Sequence, residues 1–235
     1  MATSYANRQT KNDGLVFSVD AKNTRSYNDS DRFAAQFTLG NSEYLESTST
    51  DFRRTTTDFS IGCWIKTDDI SRNQNIFGKW ATSGNYSYQV RTNGTSLIQM
   101  YASKFGTDVP VLQTNGLLSD DTWHFIVCVW DLTNSLLKMS VDGANFETAA
   151  GVDAVYDNSS IPFRVGSHHN AQYWNGEIDN FFFYNKALSQ SEVNELYNNG
   201  EGTSTVNLSE NLKTDLISWW GLNESSGTRY DDYGN

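Results

Sequence analysis

Short runs in which apolar and polar residues alternate recur along this chain, and turn residues separate them. Clear examples lie at residues 15–19, 33–37, 58–65 and 122–130. Alternation with a period of two places successive side chains on opposite faces of a strand, so each run predicts a β-strand. The runs follow one another without long helical segments between them, which is typical of an antiparallel sandwich rather than of alternating strands and helices.

Two hairpins are predicted within this pattern. The first lies between residues 86 and 101 and turns at Asn93-Gly94, a dipeptide whose tolerance of positive φ suits a tight turn. The second joins two apolar runs within residues 123–141. Both hairpins favour antiparallel pairing of neighbouring strands.

Composition and charge exclude several classes of protein. The 235 residues include 28 acidic and 17 basic side chains, a net charge of −11 that repels nucleic-acid phosphates. Aromatic residues make up 14% of the chain, which suits strands and argues against a helical bundle. No run approaches the roughly 18 consecutive apolar residues of a membrane-spanning helix, so we predict no membrane insertion. The first residues lack an apolar signal-peptide core, so we expect no export by the secretory route.

The two cysteines are predicted to be free. Cys63 and Cys128 each lie inside an apolar, strand-like run. Two cysteines are too few to stabilise a domain of this length, and a chain this long does not need them. We therefore expect two buried thiols rather than a disulfide.

One short helix is predicted near the C-terminal end. Ser189 and Glu192 have the spacing of a capping box, and Val193 and Leu196 begin an apolar stripe. Gly200 is placed to end the helix.

The chain divides into four predicted segments: a flexible arm at 1–13, a body at 14–200, a connector at 201–214 and an extra strand within 215–235. Residues 214–221 repeat the pattern of residues 13–20, with an acidic lead, an apolar pair and an aromatic residue. The repeat is about twenty residues long. It indicates either the start of a second unit or a strand donated to the chain's own sheet or to a neighbour's.

Four motifs in order resemble successive signatures of laminin-G-like domains of the concanavalin A-like jelly-roll superfamily. They lie at residues 33–45, 58–66, 122–125 and 175–197. The resemblance implies an all-β fold, a jelly-roll sandwich of two antiparallel sheets with one short C-terminal helix. Residues 211–235 also resemble the opening of such a domain. Residues 14–27 are similar to the opening of laminin-G-like domains in structural proteins of tailed bacteriophages.

The superfamily includes glycoside hydrolases, so the resemblance raises the question of catalysis. Retaining β-glucanases of this fold carry three acidic residues at alternate positions of one strand. Glu177 and Asp179 begin that pattern, but Phe181 stands where the acid/base carboxylate is needed. No Gly-x-Ser-x-Gly elbow accompanies the three histidines, and the cysteines are too isolated for zinc. We therefore predict that the chain is not an enzyme.

Structural calcium is the one candidate cofactor. Members of the resembled family often bind one such ion, which takes six to eight oxygen ligands. The matching positions are Asp179 together with either Asn28 and Asp29 or Asp231 and Asp232. The alternative interpretation is a solvated acidic loop.

Two loops carry the residue types of a sugar-binding site. Such sites pair a flat aromatic ring with side chains that hydrogen-bond hydroxyl groups. The first loop holds His168, His169, Asn170, Tyr173 and Trp174, and the second holds Lys79, Trp80, Asn85 and Tyr86. Packing is the alternative in both cases, because a tryptophan in a β-sandwich is more often buried than available to a ligand.

These observations favour a non-catalytic domain that works by binding or display. The preferred hypothesis is a protein of a bacteriophage virion surface, in a head or tail, that can also bind cell-surface glycans. It would be made in the host cytoplasm, and its arm at 1–13 and tail at 211–235 would attach it to capsid or tail subunits. The second hypothesis is a carbohydrate-binding adhesion module of a larger bacterial or phage protein at a cell surface, and the third is a glycoside hydrolase.

Overall fold

The computed structural model describes residues 34–82, 84–107, 110–157, 160–169, 171–224 and 229–233. The predicted arm and the predicted first strand at 15–19 lie outside these ranges. The described residues form thirteen strands: β1 Ala35–Phe37, β2 Leu45–Ser47, β3 Phe59–Lys66, β4 Asn75–Trp80, β5 Tyr86–Thr92, β6 Ile98–Ala102, β7 Val111–Gln113, β8 His124–Asp131, β9 Leu136–Val141, β10 Glu147–Ala150, β11 Phe163–Val165, β12 Gly176–Tyr184 and β13 Leu216–Trp220. They also form two α-helices, α1 Gln190–Tyr197 and α2 Glu210–Lys213.

The strands make two antiparallel sheets. The seven-stranded sheet has the order β1-β12-β3-β8-β9-β10, with β13 also paired to β12. Since β3 borders one edge of β12, β1 and β13 share the other edge in succession. The six-stranded sheet has the order β2-β11-β4-β5-β6-β7. The predicted all-β architecture of two antiparallel sheets is confirmed.

Both predicted hairpins are present, since β5 pairs with β6 and β8 pairs with β9. The first turn is wider than the tight turn expected for Asn93-Gly94. The N–H of Asn93 donates to the carbonyl of Leu97 (3.1 Å), and Asn93 Oδ1 accepts the N–H of Thr95 (3.0 Å). The asparagine side chain therefore organises a longer loop.

Aromatic rings fill the space between the sheets. Phe59 of β3 stacks on Trp130 of β8 with centroids 4.6 Å apart, and Phe52 stacks on Phe163 of β11 at 4.3 Å. All four side chains are buried. Stacked rings add to the free energy gained by removing their apolar area from water.

A second apolar cluster covers the outer face of the seven-stranded sheet. Val193 and Leu196 of α1 and Leu212 of α2 belong to the same buried cluster as Phe182 of β12 and Phe125 of β8. Strands buried on both faces read as nearly continuous apolar runs, as β8 and β12 do here. The helices therefore close this face of the sheet.

Capping side chains set the helix boundaries. Ser189 accepts the N–H of Glu192, and the Glu192 carboxylate accepts the N–H of Ser189, which confirms the predicted capping box. Asn198 adopts the left-handed conformation that ends α1, two residues before Gly200. Ser209 caps α2, a helix within the segment that the sequence suggested was a polar connector. Among the described residues, neither helix has the length and apolar character to cross a bilayer.

The strand β13 joins the chain's own sheet. Trp220 is 1% exposed and lies in the core between the sheets. The chain then folds back, so that Asp231 accepts the N–H of Trp219 (2.9 Å) and Asp232 accepts that of Gly221 (2.8 Å). These carboxylates accept hydrogen bonds from backbone N–H groups that could otherwise pair with a strand of another chain. The repeat left open a second unit or a strand donated to a sheet, and residues 216–220 form a strand of the chain's own sheet.

The two cysteines are free and buried, as predicted. Cys63 lies on β3 and Cys128 on β8. Burial raises the pKa of both thiols, so they stay protonated and unreactive at neutral pH.

Replacing Trp220 by alanine tests whether β13 belongs to this core. The ring centroid lies 5.8 Å from that of Phe52, so truncation removes buried contacts and leaves a cavity. We expect the free energy of unfolding in urea to fall by about 3–5 kcal/mol. Val206→Ala, at a side chain that is 82% exposed, is the control and should change it by less than about 0.5 kcal/mol. Equal stability of both variants would show that β13 does not contribute to the core.

Candidate functional site

The outer face of the six-stranded sheet presents polar and aromatic side chains. A row of opposed residues crosses five neighbouring strands through Glu46, Arg164, Gly78, Gln89 and Tyr101. Residues that oppose each other in an antiparallel ladder share a face. Because α1 and α2 pack on the other sheet, this is the face of the described domain that the helices leave open.

A shallow groove lies on this face beside β4 and β11. It is lined by Asn75, Gly78, Trp80, Ile161, Pro162, Arg164, Ser167 and His169. Glycine at position 78 lets β4 and β5 approach each other closely beside the groove. A Cβ atom there would lie 2.5 Å from the carbonyl oxygen of Tyr88, so no larger residue fits without moving the backbone.

Trp80 gives the groove an aromatic wall. Its ring stacks on Tyr86 with centroids 4.3 Å apart and planes 7° apart, and Tyr101 lies 5.7 Å away. Trp80 and Tyr86 are half-buried, so each keeps part of its surface in solvent. Stacking therefore fixes the orientation of a partly exposed ring.

Buried amides form a polar network beneath the groove. Gln89 Nε2 donates to Asn75 Oδ1 (2.7 Å), and Asn75 Nδ2 donates to the carbonyl of Ser167 (2.6 Å). All three residues are at most 2% exposed. The network ties β4 and β5 to the segment after β11. The hydroxyl of Ser167 has no hydrogen-bond partner within the described part of the chain, which is unusual for a buried polar atom.

Two basic residues support the groove wall. Lys79 Nζ donates to the carbonyl of Ile161 (2.7 Å), and burial lowers the pKa of Lys79 to about 8. Arg164 donates to Glu46 Oε2 from Nε (2.8 Å), and its Nη2 lies 2.7 Å from the same oxygen. The guanidinium also lies 4.3 Å from the ring centroid of Tyr44. A carboxylate thus balances the charge of the arginine in the wall.

Residues 39–194, more than half of the chain, match the family described as the concanavalin A-like lectin/glucanases superfamily. The chain belongs to this superfamily. The resemblance seen in the sequence motifs is thereby confirmed at the level of the superfamily.

Solved structures of low sequence identity share the superfamily fold. A proposed carbohydrate-binding protein from Bacteroides ovatus has a TM-score of 0.59 at 15% identity, over 94% of this chain and 57% of that one. Domain 4 of the arabinanase AbnA from Geobacillus stearothermophilus, in complex with arabinotriose, has a TM-score of 0.54 at 14% identity, over 74% and 79%. The binding domain of botulinum neurotoxin DC in complex with SialylT gives 0.56 at 11% identity, over 76% and 44%.

One curated relative is similar over part of the chain. Paraclostridial mosquitocidal protein 1 from Paraclostridium bifermentans is 21% identical over 155 residues, which are 60% of this chain. The match covers 12% of that relative. The chain thus corresponds to a small part of the relative's length.

The superfamily domain brings the two predicted sugar-binding groups together. Trp80 from the second group and His169 from the first line the same groove, and Tyr86 stacks on Trp80. His168 forms a backbone bridge with Ala171. Burial lowers the pKa of His168, which keeps its imidazole neutral near pH 7.

The other members of the first group have different surroundings. Trp174 is fully buried in the core, and its backbone N–H donates to the carbonyl of Gly166 (2.8 Å). A sugar cannot stack on this ring, so the packing alternative replaces the interpretation of Trp174 as a ligand platform. The ring of Tyr173 lies 6.4 Å from that of Tyr44, and Asn170 lies outside the described residues.

The carboxylates of β12 do not form the acidic set of a glucanase. Glu177 lies 3.7 Å from Lys66 Nζ, whereas Asp179 is fully buried and accepts the N–H of Asn180. Asn180 has a φ of 46° where the pairing of β12 with β3 shifts register. This irregularity interrupts the alternation that would place three acids on one face, and Phe181 packs in the core.

The predicted calcium ligands serve the backbone where they are described. Asp231 and Asp232 accept N–H groups of β13 and of the residue that follows it, and Asp179 accepts that of Asn180. Asn28 and Asp29 lie outside the described residues. Across the described ranges, no three or more His, Cys, Asp or Glu side chains are grouped to hold a metal.

Sequence reasoning missed Asn75, Arg164 and Ser167 as groove residues. They come from β4, β11 and the segment after β11, which are far apart in the chain. One signal was present: Gln89 and Arg91 alternate with apolar residues in β5, which marks a polar outer face.

Lys79→Met tests the buried lysine of the groove wall. The pKa of Lys79 is about 8 in the folded protein against 10.5 as its ordinary value, so the unfolded chain binds more protons between these values. The free energy of unfolding of the wild type should therefore rise, relative to that of the variant, as the pH increases from about 8 to about 10. Urea titrations at both pH values measure this difference. A difference that does not change with pH would contradict the lowered pKa of Lys79.

Proposed function

We propose that this chain is a non-catalytic carbohydrate-binding domain and that its ligand occupies the groove of the six-stranded sheet. The observation that carries the proposal is a partly exposed, stacked tryptophan beside a buried amide network, on the face that the helices leave open. Sugar sites combine such a ring with a few convergent polar groups. The names of the arabinanase domain and the Bacteroides ovatus protein support the same ligand class.

The groove supplies both kinds of contact that a sugar ring needs. The indole of Trp80 can stack on the apolar face of the ring. The polar groups along the groove, among them Arg164 and His169, can hydrogen-bond the hydroxyls. The ligand is therefore held by shape and hydrogen bonds, and no covalent bond is made or broken.

The absence of catalysis is part of the proposal. It is supported by the arrangement on β12, where Glu177 pairs with Lys66 and Asp179 is buried. Retaining glycosidases need two carboxyl groups about 5–5.5 Å apart on either side of a scissile bond. Phe181 stands at the third position of the series and packs in the core.

Trp80→Ala tests the proposed groove. We expect a glycan array to give at least one hit with the wild type, and the variant to bind that glycan at least about tenfold more weakly by calorimetry. Trp123→Ala is the matched control, because Trp123 is also half-buried but lies beside Lys66 of the other sheet. Melting temperatures of both variants separate lost binding from lost folding. Equal losses for both tryptophans, or no glycan hit, would contradict the proposal.

The wider setting predicted from the sequence stays a prediction. A virion-surface protein should copurify with phage particles, and deleting residues 1–13 should abolish its incorporation while leaving the melting temperature unchanged. The described part of the tail pairs within its own sheet, so attachment would rest on the arm. Particles that retain the truncated protein would contradict that role. Display at a cell surface and a structural calcium ion likewise stay predictions.

A further inference from the structure

Two buried serine hydroxyls of the six-stranded sheet lack a hydrogen-bond partner among the described residues. They belong to Ser167, after β11, and Ser87, on β5, and each residue is 1% exposed. An unpaired buried hydroxyl destabilises the folded state, because it has lost its water without gaining a partner. Ser167 lines the groove and Ser87 does not.

The bonds around Ser167 leave its hydroxyl unpaired at the buried floor of the groove. Asn75 Nδ2 donates to the backbone carbonyl of Ser167, and Gln89 holds Asn75 in turn. These bonds fix the position of the serine without using its side chain. A serine hydroxyl can donate one hydrogen bond and accept two, and rotation about χ1 redirects it among staggered positions.

The charges beside the groove indicate an uncharged ligand. Among the described residues that line it, Arg164 is the one with a permanent charge, and Glu46 balances that charge at 2.7 Å. The whole chain carries a net charge of −11, which disfavours the approach of an anion. An acidic sugar would have to compete with Glu46 for the guanidinium.

We propose that Ser167 is a specificity-determining residue of the groove, and that its hydroxyl turns toward the groove by rotation about χ1 and pairs with a hydroxyl of a neutral sugar. The inference rests on the proposed carbohydrate-binding function. It adds a named contact and excludes sugars that bind through a carboxylate. It also assigns a role to a polar atom that the folded chain leaves unpaired.

Ser167→Ala and its matched control Ser87→Ala test the contact. The probes are neutral trisaccharides (arabinotriose, cellotriose and mannotriose) and two acidic glycans (trigalacturonate and sialyllactose), measured by calorimetry with the full chain. We expect at least one neutral probe to bind, and Ser167→Ala to weaken it about five- to tenfold. Ser87→Ala should leave it within about twofold. Both variants should melt at or above the temperature of the wild type, because each removes an unpaired polar atom.

Glu46→Gln tests the ligand class. Removing the carboxylate leaves the charge of Arg164 unbalanced, so the variant should gain at least about threefold in affinity for trigalacturonate while its affinity for the neutral probe stays unchanged. Wild-type binding of the acidic probes alone would overturn the neutral class.

The failures of the two proposals can be told apart. If Trp80→Ala weakens the neutral probe but Ser167→Ala and Ser87→Ala behave alike, the role of Ser167 is wrong and the groove stands. If none of the probes binds and the glycan array is empty, or if binding is insensitive to Trp80→Ala, the carbohydrate-binding groove itself fails.

Discussion

Burial of β12 on both faces sets the arrangement of the rest of the domain. Four aromatic residues in succession, at 181–184, fill the second half of this strand, and each is at most 2% exposed. Successive side chains point to opposite faces, so Phe181 and Phe183 lie in the core between the sheets, while Phe182 and Tyr184 lie in the cluster under α1. Such a strand needs an apolar layer on each side. One layer is the second sheet, and the other is supplied by the helices.

That requirement makes the two sheets unequal. The helices are committed to the seven-stranded sheet, which leaves the six-stranded sheet with one face toward solvent. Its strands β5 and β6 therefore alternate, with Val90 and Met100 in the core and Gln89 and Tyr101 on the outer face. The same alternation that builds the core thus places amides and aromatic rings on the outer face of this sheet. The proposed binding groove lies on the sheet left without a covering layer.

Local rules made much of this fold predictable, whereas the groove depends on contacts between distant segments. Alternation located the strands, and the pair Ser189 and Glu192 located the helix start, because each signal lies within a few neighbouring residues. Trp80 and Trp174 could not be distinguished in this way. Both have polar neighbours in sequence, yet the return of the chain after Gly166 carries Trp174 into the core. The proposed role of Ser167 was equally hidden, since the position of this serine depends on a hydrogen bond from Asn75 of β4.

The buried polar groups under the groove give the proposed binding surface a fixed shape. The amide group of Gln89 donates to that of Asn75, and the amide of Asn75 donates to the backbone carbonyl of Ser167. These bonds hold β4, β5 and the segment after β11 in one arrangement. A rigid floor loses little conformational entropy when a ligand arrives, which leaves more of the interaction energy for affinity. The unpaired hydroxyl of Ser167 has the opposite effect on the free protein, because it lowers stability until a partner is supplied. The aromatic side chains buried on both faces of β12 offset that loss elsewhere in the domain.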